Sequence, residues 1–172
     1  SGFALQFQLD TTLSDAERYP LKQNDLIVFD CALDKAPAGM SWASGELQKV
    51  KDLPNVGFTG DRLYRPLFID EKWAPYEGAV MFIDPSGRGK DETGYAVVKQ
   101  LHGKLFVTAF GGLVGGYELP VLRRLAEIAK ANKVNYIVIE ANFGDGMFTK
   151  ILQPVLGDIY PCTTEEIKVS IQ

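Results

Sequence analysis

The sequence of 172 residues is poor in the side chains on which several large enzyme classes depend. Its single histidine, His102, argues against a Ser/His triad hydrolase, a histidine-rich zinc site and a histidine-based metal nuclease. Its two cysteines, Cys31 and Cys162, form no spaced framework, so a reducing cytoplasm is the default expectation. No apolar run has membrane length, and no signal-peptide pattern is present. The net charge of −4 gives no overall positive field, so any contact with DNA needs local basic groups or a bound metal.

The most informative segment is a glycine-rich stretch between two apolar runs. The first run, 79–83, has the length of a buried strand and ends on Asp84. Pro85 cannot donate to a sheet, so pairing is expected to stop there. Three glycines then free the backbone for a tight turn before the second apolar run, 95–98. The pattern predicts a strand, a turn and a return strand, with a carboxylate at the end of the first strand.

The remaining patterns divide the chain into two parts. A segment rich in strands and loops is predicted over 1–78, with strands over 25–33 and 62–70 and a short strand over 45–50. An α/β domain is predicted over 79–172. Its predicted strands are 79–84, 94–100, 104–110, 134–140 and 166–171, with a flexible loop over 111–116, a helix from 119 that ends at 132–133, and a helix over 146–153 followed by Pro154.

The order of these elements brings two acids together. After three strands that can pair as antiparallel neighbours, the first helix returns the chain, so that the fourth strand lies parallel to the first. Asp84 and Glu140 then sit at the same end of strands about 4.8 Å apart. Paired carboxylates repel one another, and hard oxygen ligands select Mg²⁺ or Mn²⁺, two of which can clamp a phosphodiester. The competing interpretation is that Asp84 caps a turn and Glu140 is a solvated strand end.

Other polar residues flank this pair. The turn that contains Arg88 and Lys90 either cradles phosphate or is a plain hairpin, and both side chains are candidates for DNA contact. Asn142 and Asp145 follow Glu140 closely. Asp145 fits the cap of the next helix, and contact with DNA or a place beside the metal ligands is the alternative role for Asn142 and Asp145.

Three motifs together resemble a known family. The stretches 83–94, 111–117 and 139–147 are similar to the nuclease domain of the large terminase subunit of short-tailed double-stranded DNA phages. The resemblance is strong over 79–160, and residues 3–22 look like the segment that joins the ATPase domain of this family to its nuclease.

The resemblance implies a ribonuclease H-like fold of the RuvC type, a mixed sheet flanked by helices. It implies a two-metal endonuclease that uses Mg²⁺ or Mn²⁺ and cuts concatemeric DNA during packaging. Asp84 matches the first catalytic aspartate and Glu140 the second acid, with Asp145 as a further candidate ligand. The implied partners are double-stranded DNA, the ATPase domain, the small terminase subunit and the procapsid portal, with no membrane, in the host cell cytoplasm.

The sequence departs from the family pattern in two respects. Family members carry a third acid on a helix after the fifth strand, and no position for it is found here; Asp91, Glu92 and Asp145 are the nearest candidates. No phosphate-binding Gly-x-x-x-x-Gly-Lys-Ser/Thr run occurs, so ATP is expected only in the absent ATPase domain. We therefore expect a C-terminally incomplete nuclease domain that is weakly active or inactive alone.

Two rival hypotheses remain open at this stage. An actin-like ATPase shares the strand order and also places an aspartate before glycines, but needs a second similar half. A non-catalytic interaction module with structural acids would show no acid-dependent Mn²⁺ binding.

Overall fold

The computed structural model describes residues 2–5, 22–54, 60–87, 90–141 and 146–168. The chain divides into two compact units, one of Ser1–Tyr76 with Leu101–Phe106 and one of Glu77–Gln100 with Val107–Gln172. Among the described residues, no helix combines the length and the apolar character needed to cross a membrane.

The first unit is built from short antiparallel strand pairs. Strand β1 (Gly2–Leu5) pairs with β2 (Leu26–Phe29), β3 (Lys35–Pro37) with β6 (Trp73–Pro75), and β4 (Met40–Ser41) with β5 (Phe68–Ile69). The strand predicted over 62–70 is largely wrong. Pro66 interrupts it, so Tyr64 makes only isolated bridges and regular pairing begins at β5.

The short strand predicted over 45–50 is a single turn of 3-10 helix, Glu46–Gln48. The amide of Gln48 donates to the carbonyl of Gly45 at 3.1 Å, and the Lys49 ammonium lies 2.6 Å from the Glu46 carboxylate. Cross-strand bonds are confined to the end of the segment, where the amide of Arg65 donates to the carbonyl of Gln48 and the amide of Val50 donates to the carbonyl of Leu63. A second turn of 3-10 helix, Gln23–Asp25, precedes β2 and shortens the strand predicted over 25–33.

Aromatic side chains form the core of this unit. The ring of Phe106 is fully buried and meets the rings of Phe29 and Tyr76 edge to face, at centroid distances of 6.1 and 5.7 Å. Trp42 and Trp73 pack against this cluster. Both tryptophans are therefore packing residues.

The second unit contains a mixed five-stranded sheet and two helices. Its elements are β7 (Gly78–Asp84), β8 (Glu92–Leu101), β9 (Lys104–Val114), α1 (Leu119–Ala131), β10 (Tyr136–Glu140), α2 (Met147–Ile159) and β11 (Thr163–Ile167); the last residue of β8 and the first three of β9 are assigned to the first unit. The strand order is β11-β10-β7-β8-β9. Strand β7 is antiparallel to β8 and parallel to β10, which is parallel to β11. The predicted mixed sheet and the parallel return of β10 to β7 are confirmed.

One face of this sheet packs against both helices. Met81 and Ile83 on β7 are buried, whereas the alternate residues Phe82 and Asp84 are exposed, as the two-residue period of a strand dictates. The buried cluster takes apolar side chains from three strands and both helices: Met81, Ile83, Val97, Ile137, Ile139, Leu122, Leu125, Ala126, Phe148, Leu152 and Leu156. The side chain of Asp84 lies on the opposite face, at the end of β7.

Two boundaries in this unit differ from the prediction. Strand β9 continues to Val114, so Gly111 and Gly112 belong to it rather than to a flexible loop. A side chain would fit poorly at either position, because a Cβ at Gly111 would lie 2.8 Å from the Tyr95 hydroxyl and one at Gly112 would collide with Glu92. The last strand is Thr163–Ile167 rather than 166–171, of which 169–171 lie outside the described residues.

Helix α2 passes through Pro154 instead of ending before it. Proline removes one main-chain bond and normally breaks a helix. Here Phe148, Leu152 and Leu156 recur at four-residue spacing and are all buried, so one apolar stripe continues across the proline. Burial of that stripe outweighs the lost bond.

Candidate metal site

The register between β7 and β10 is fixed by Asn135. Its main-chain amide donates to the carbonyl of Ala79 and its side-chain Oδ1 accepts from the amide of Ala79, both at 2.9 Å. Four residues on from this pair, Ile139 lies opposite Ile83. The next residues are Asp84 and Glu140, which therefore stand side by side at the ends of parallel strands about 4.8 Å apart. A slip of one residue would turn either carboxylate to the helix-covered face.

A shallow groove of about 250 Å³ lies beside the two acids. Asp84 is exposed and Glu140 is partly buried. Gly94 stands opposite Asp84 on β8, so the residue paired with Asp84 has no side chain. The groove is lined by Phe82, Ile83, Asp84, Gly94, Tyr95, Ala96, Val138, Glu140 and Ile167. Its lining contains two carboxylates and no basic side chain.

This set of donors fits a hard divalent cation. Two ionised carboxylates at neighbouring positions repel each other, and a divalent ion between them removes that repulsion. Carboxylate oxygens suit Mg²⁺ and Mn²⁺. In the part of the chain that the structure describes, no group of three or more His, Cys, Asp and Glu side chains is arranged to hold a metal ion. Within the described residues, the candidate metal site therefore contains two acids, Asp84 and Glu140.

The turn after Asp84 is held by hydrogen bonds. The amide of Ser86 donates to Oγ1 of Thr93 at 3.0 Å, and the two hydroxyl oxygens are 3.2 Å apart. Oγ1 of Thr93 also donates to the carbonyl of Gly116 at 3.4 Å. Thr93 is fully buried and Ser86 is buried.

The other predicted site residues are distributed around this pair. Lys90 is exposed on the turn, and Asp91 next to it is exposed as well. Glu92 lies in β8 rather than in the turn, and its side chain lies over Gly112 of β9. Arg88, Asn142 and Asp145 lie outside the described residues, and the N-cap of α2 is Gly146.

Sequence reasoning missed three residues that shape the site. The sequence predicts Gly94 as the start of a return strand but not its place opposite Asp84, it predicts no role for Thr93, and it predicts Asn135 only as part of the strand 134–140. A small polar residue directly before a buried strand, as Asn135 is, was the available signal for a register-setting side chain. The burial of Thr93 had no signal in the sequence, because it depends on the approach of the distant Gly116.

A mixed sheet with two helices on one face and paired acids at adjoining strand ends describes a ribonuclease H-like domain. Residues 83–172 match the family described as Terminase Bacteriophage T7, Ribonuclease H-like domain. The chain therefore belongs to this family, as a nuclease-like domain of a terminase large subunit. The matched residues include both Asp84 and Glu140.

The chain is similar to one curated relative and to two solved structures. The terminase large subunit of Enterobacteria phage T3 is 43% identical over 168 residues, which are 98% of this chain and 29% of that protein. The chain thus spans less than a third of the length of this relative. The solved nuclease domain of the large terminase subunit of bacterial virus Sf6 is similar with a TM-score of 0.42 and 18% identity, over 54% of this chain and 38% of that one. A mutant of that domain, solved with manganese and beta-thujaplicinol, has a TM-score of 0.41 and 15% identity over the same shares.

Proposed function

We propose that this domain is a metal-dependent endodeoxyribonuclease that cuts concatemeric DNA during viral genome packaging. The observation that carries the proposal is the placement of Asp84 and Glu140 at adjacent ends of parallel strands, beside an open groove. Membership of the terminase family supports this function over an actin-like ATPase or a non-catalytic module. The chain is a hydrolase under this proposal, with two Mg²⁺ or Mn²⁺ ions as its cofactors.

The proposed site has two kinds of side chain, those that would bind metal ions and those that would contact DNA. Asp84 and Glu140 hold the metal, with Asp145 as a further candidate ligand. When bound, divalent ions supply Lewis-acid stabilisation of the phosphoryl group that is attacked. Asp84 is exposed, and the residue directly opposite it on β8 is Gly94, which has no side chain, so the carboxylate is open to a metal ion and a DNA phosphate on that side. Glu140 is partly buried.

The proposed partners follow from the same family. Double-stranded DNA is the substrate, and Arg88, Lys90 and Asn142 are the proposed contacts to it. In a longer protein, an ATPase domain that binds ATP would act with this domain, and the small terminase subunit and the procapsid portal would bind the assembly. Residues 1–78 would form the segment between the ATPase domain and the nuclease at 79–172. The proposed cleavage and packaging of DNA take place in the host cell cytoplasm.

Binding of Mn²⁺ tests the proposal directly. Isothermal titration of the chain with Mn²⁺ is expected to show saturable binding, and Asp84→Asn is expected to remove it, because one carboxylate alone binds a hard cation weakly. The matched control is Asp158→Asn, which makes the same change of charge at an exposed position of α2. Equal Mn²⁺ binding by wild type and Asp84→Asn would refute the assignment.

Contact with DNA is expected to be weak, independent of sequence and sensitive to salt. The unfavourable net charge leaves phosphate contact to local groups such as Arg88 and Lys90. Each lost phosphate contact lowers the slope of log K against log salt by about 0.9. The double variant Arg88→Ala/Lys90→Ala is therefore expected to flatten the slope by about 1.8, and Lys90→Ala alone by about half as much.

The measurement is fluorescence anisotropy of a labelled duplex between about 50 and 200 mM salt. Lys130→Ala, which removes an exposed lysine from the last turn of α1, serves as the control and should keep the wild-type slope. Tight binding of one sequence that does not change with salt would contradict the expectation.

A further inference from the structure

The turn that follows Asp84 is bonded to the turn that precedes helix α1. Thr93 is the central group of this connection, and its hydroxyl is fully buried between Ser86 and Gly116. Oγ1 of Thr93 donates its one proton to the carbonyl of Gly116. It accepts from the amide of Ser86, and the hydroxyl of Ser86 is then its second donor. A threonine hydroxyl has one proton and two lone pairs, so all of its hydrogen-bonding capacity is used.

Gly116 gives a second, independent observation that the two turns lie close together. Gly116 is buried and has a φ of +57°, in the left-handed region that favours glycine. A Cβ on Gly116 would lie 2.8 Å from the carbonyl oxygen of Gly87. The two turns therefore approach each other backbone to backbone, at a separation that no side chain at position 116 would permit.

We propose that Thr93 is a positioning residue for the metal site, acting through the turn at Ser86 and Gly87. The inference rests on the proposed function of Asp84. Asp84 is the last residue of β7, so the hydrogen bonds of the sheet hold the chain before Asp84 but not the chain after it. Thr93 holds the chain after Asp84, because its hydroxyl accepts a hydrogen bond from the amide of Ser86, two residues further on. Gly94, the neighbour of Thr93, lies opposite Asp84, so Thr93 itself faces away from the carboxylate and does not touch the metal.

Loss of the hydrogen bonds made by the Thr93 hydroxyl is expected to lower the affinity for metal, in addition to lowering the stability of the fold. Residues that orient a metal ligand typically change metal affinity by about 10- to 100-fold when they are replaced. Thr93→Val keeps the shape of the side chain and removes the hydroxyl, so we expect Mn²⁺ to bind about tenfold more weakly. Thr93→Ser keeps the hydroxyl and is expected to restore most of the affinity.

The matched control is Thr108→Val, in the same unit. The Thr108 hydroxyl donates to Oδ1 of Asn132 at 2.9 Å, and neither residue lines the groove beside Asp84. This variant loses one hydroxyl hydrogen bond and is expected to lower the midpoint of thermal unfolding while leaving the Mn²⁺ affinity unchanged. Dissociation constants are measured by titration calorimetry at a temperature at which circular dichroism shows every variant to be folded.

The outcomes separate the two proposals. Wild-type affinity in Thr93→Val, or an equal loss of affinity in Thr108→Val, overturns the positioning role and leaves the proposed function intact. A wild-type chain that fails to bind Mn²⁺ overturns the proposed function and this inference with it. If Thr93→Val does not fold, Thr93→Ala replaces it, since this variant also removes the hydroxyl without placing a methyl group against Gly116; unchanged affinity there overturns the positioning role.

Discussion

Replacing Asp84 by Asn, or Glu140 by Gln, is expected to reduce metal-dependent cleavage of DNA by at least about a thousandfold, equivalent to about 4 kcal/mol of transition-state stabilisation. Each amide keeps the shape of the side chain and loses the charge that binds the cation. The assay is nicking of a supercoiled plasmid in Mn²⁺. It uses the T3 large terminase with its matching segment replaced by this sequence, because the chain spans only 29% of the length of that relative.

The controls are chosen to change charge without touching the groove. Asp158→Asn and Glu127→Gln alter exposed acids on the two helices and should cleave as wild type does. In the absence of metal, Asp84→Asn and Glu140→Gln should match or exceed the wild-type stability in urea, since a like-charge repulsion is removed. If both variants of the pair retained full activity, the catalytic assignment would be wrong.

Truncation of Leu125 is expected to give the largest loss of stability. Its side chain is 1% exposed in the cluster between helix α1 and the sheet. Leu→Ala changes at such sites typically cost about 2–5 kcal/mol, because burial is lost and a cavity remains. We expect Leu125→Ala to lower the free energy of unfolding by about 3 kcal/mol, measured by urea titration with circular dichroism.

The matched control lies at the start of the same helix. Leu119 is 47% exposed, so Leu119→Ala removes the same atoms from a largely solvated position. Its expected cost is within about 0.5 kcal/mol. Similar losses in the two variants would show that the helix is not packed as described.

The regular elements of the second unit were predictable because their burial follows simple periods. The run at 79–83 predicted β7, and the helical spacing of the leucines from Leu119 to Leu125 predicted α1. The departures arise where tertiary contacts outweigh local pattern. Gly111 and Gly112 predict a loop, yet they belong to β9, at positions where neighbouring side chains leave little room for a Cβ. In the first unit, Pro66 limits pairing inside an otherwise strand-like run.

The pairing of Asp84 with Glu140 was also accessible, because the order of elements brings their strands together and both acids end a strand. What the sequence did not provide was the mechanism that aligns them. The register depends on the double hydrogen bond between Asn135 and Ala79, and the turn depends on Thr93. Such contacts join residues that are far apart in the chain, and periodicity carries no information about them.

The proline in α2 weakens the attachment of the first turn of that helix. Pro154 has no amide to donate to the carbonyl of Lys150, so opening the turn Met147 to Lys150 breaks one main-chain bond fewer than it would without the proline. The amide protons of residues 151–153, which donate to this turn, are therefore expected to exchange with solvent more readily than those in the second half of the helix. The turn that opens lies at the end of α2 that follows Glu140 along the chain.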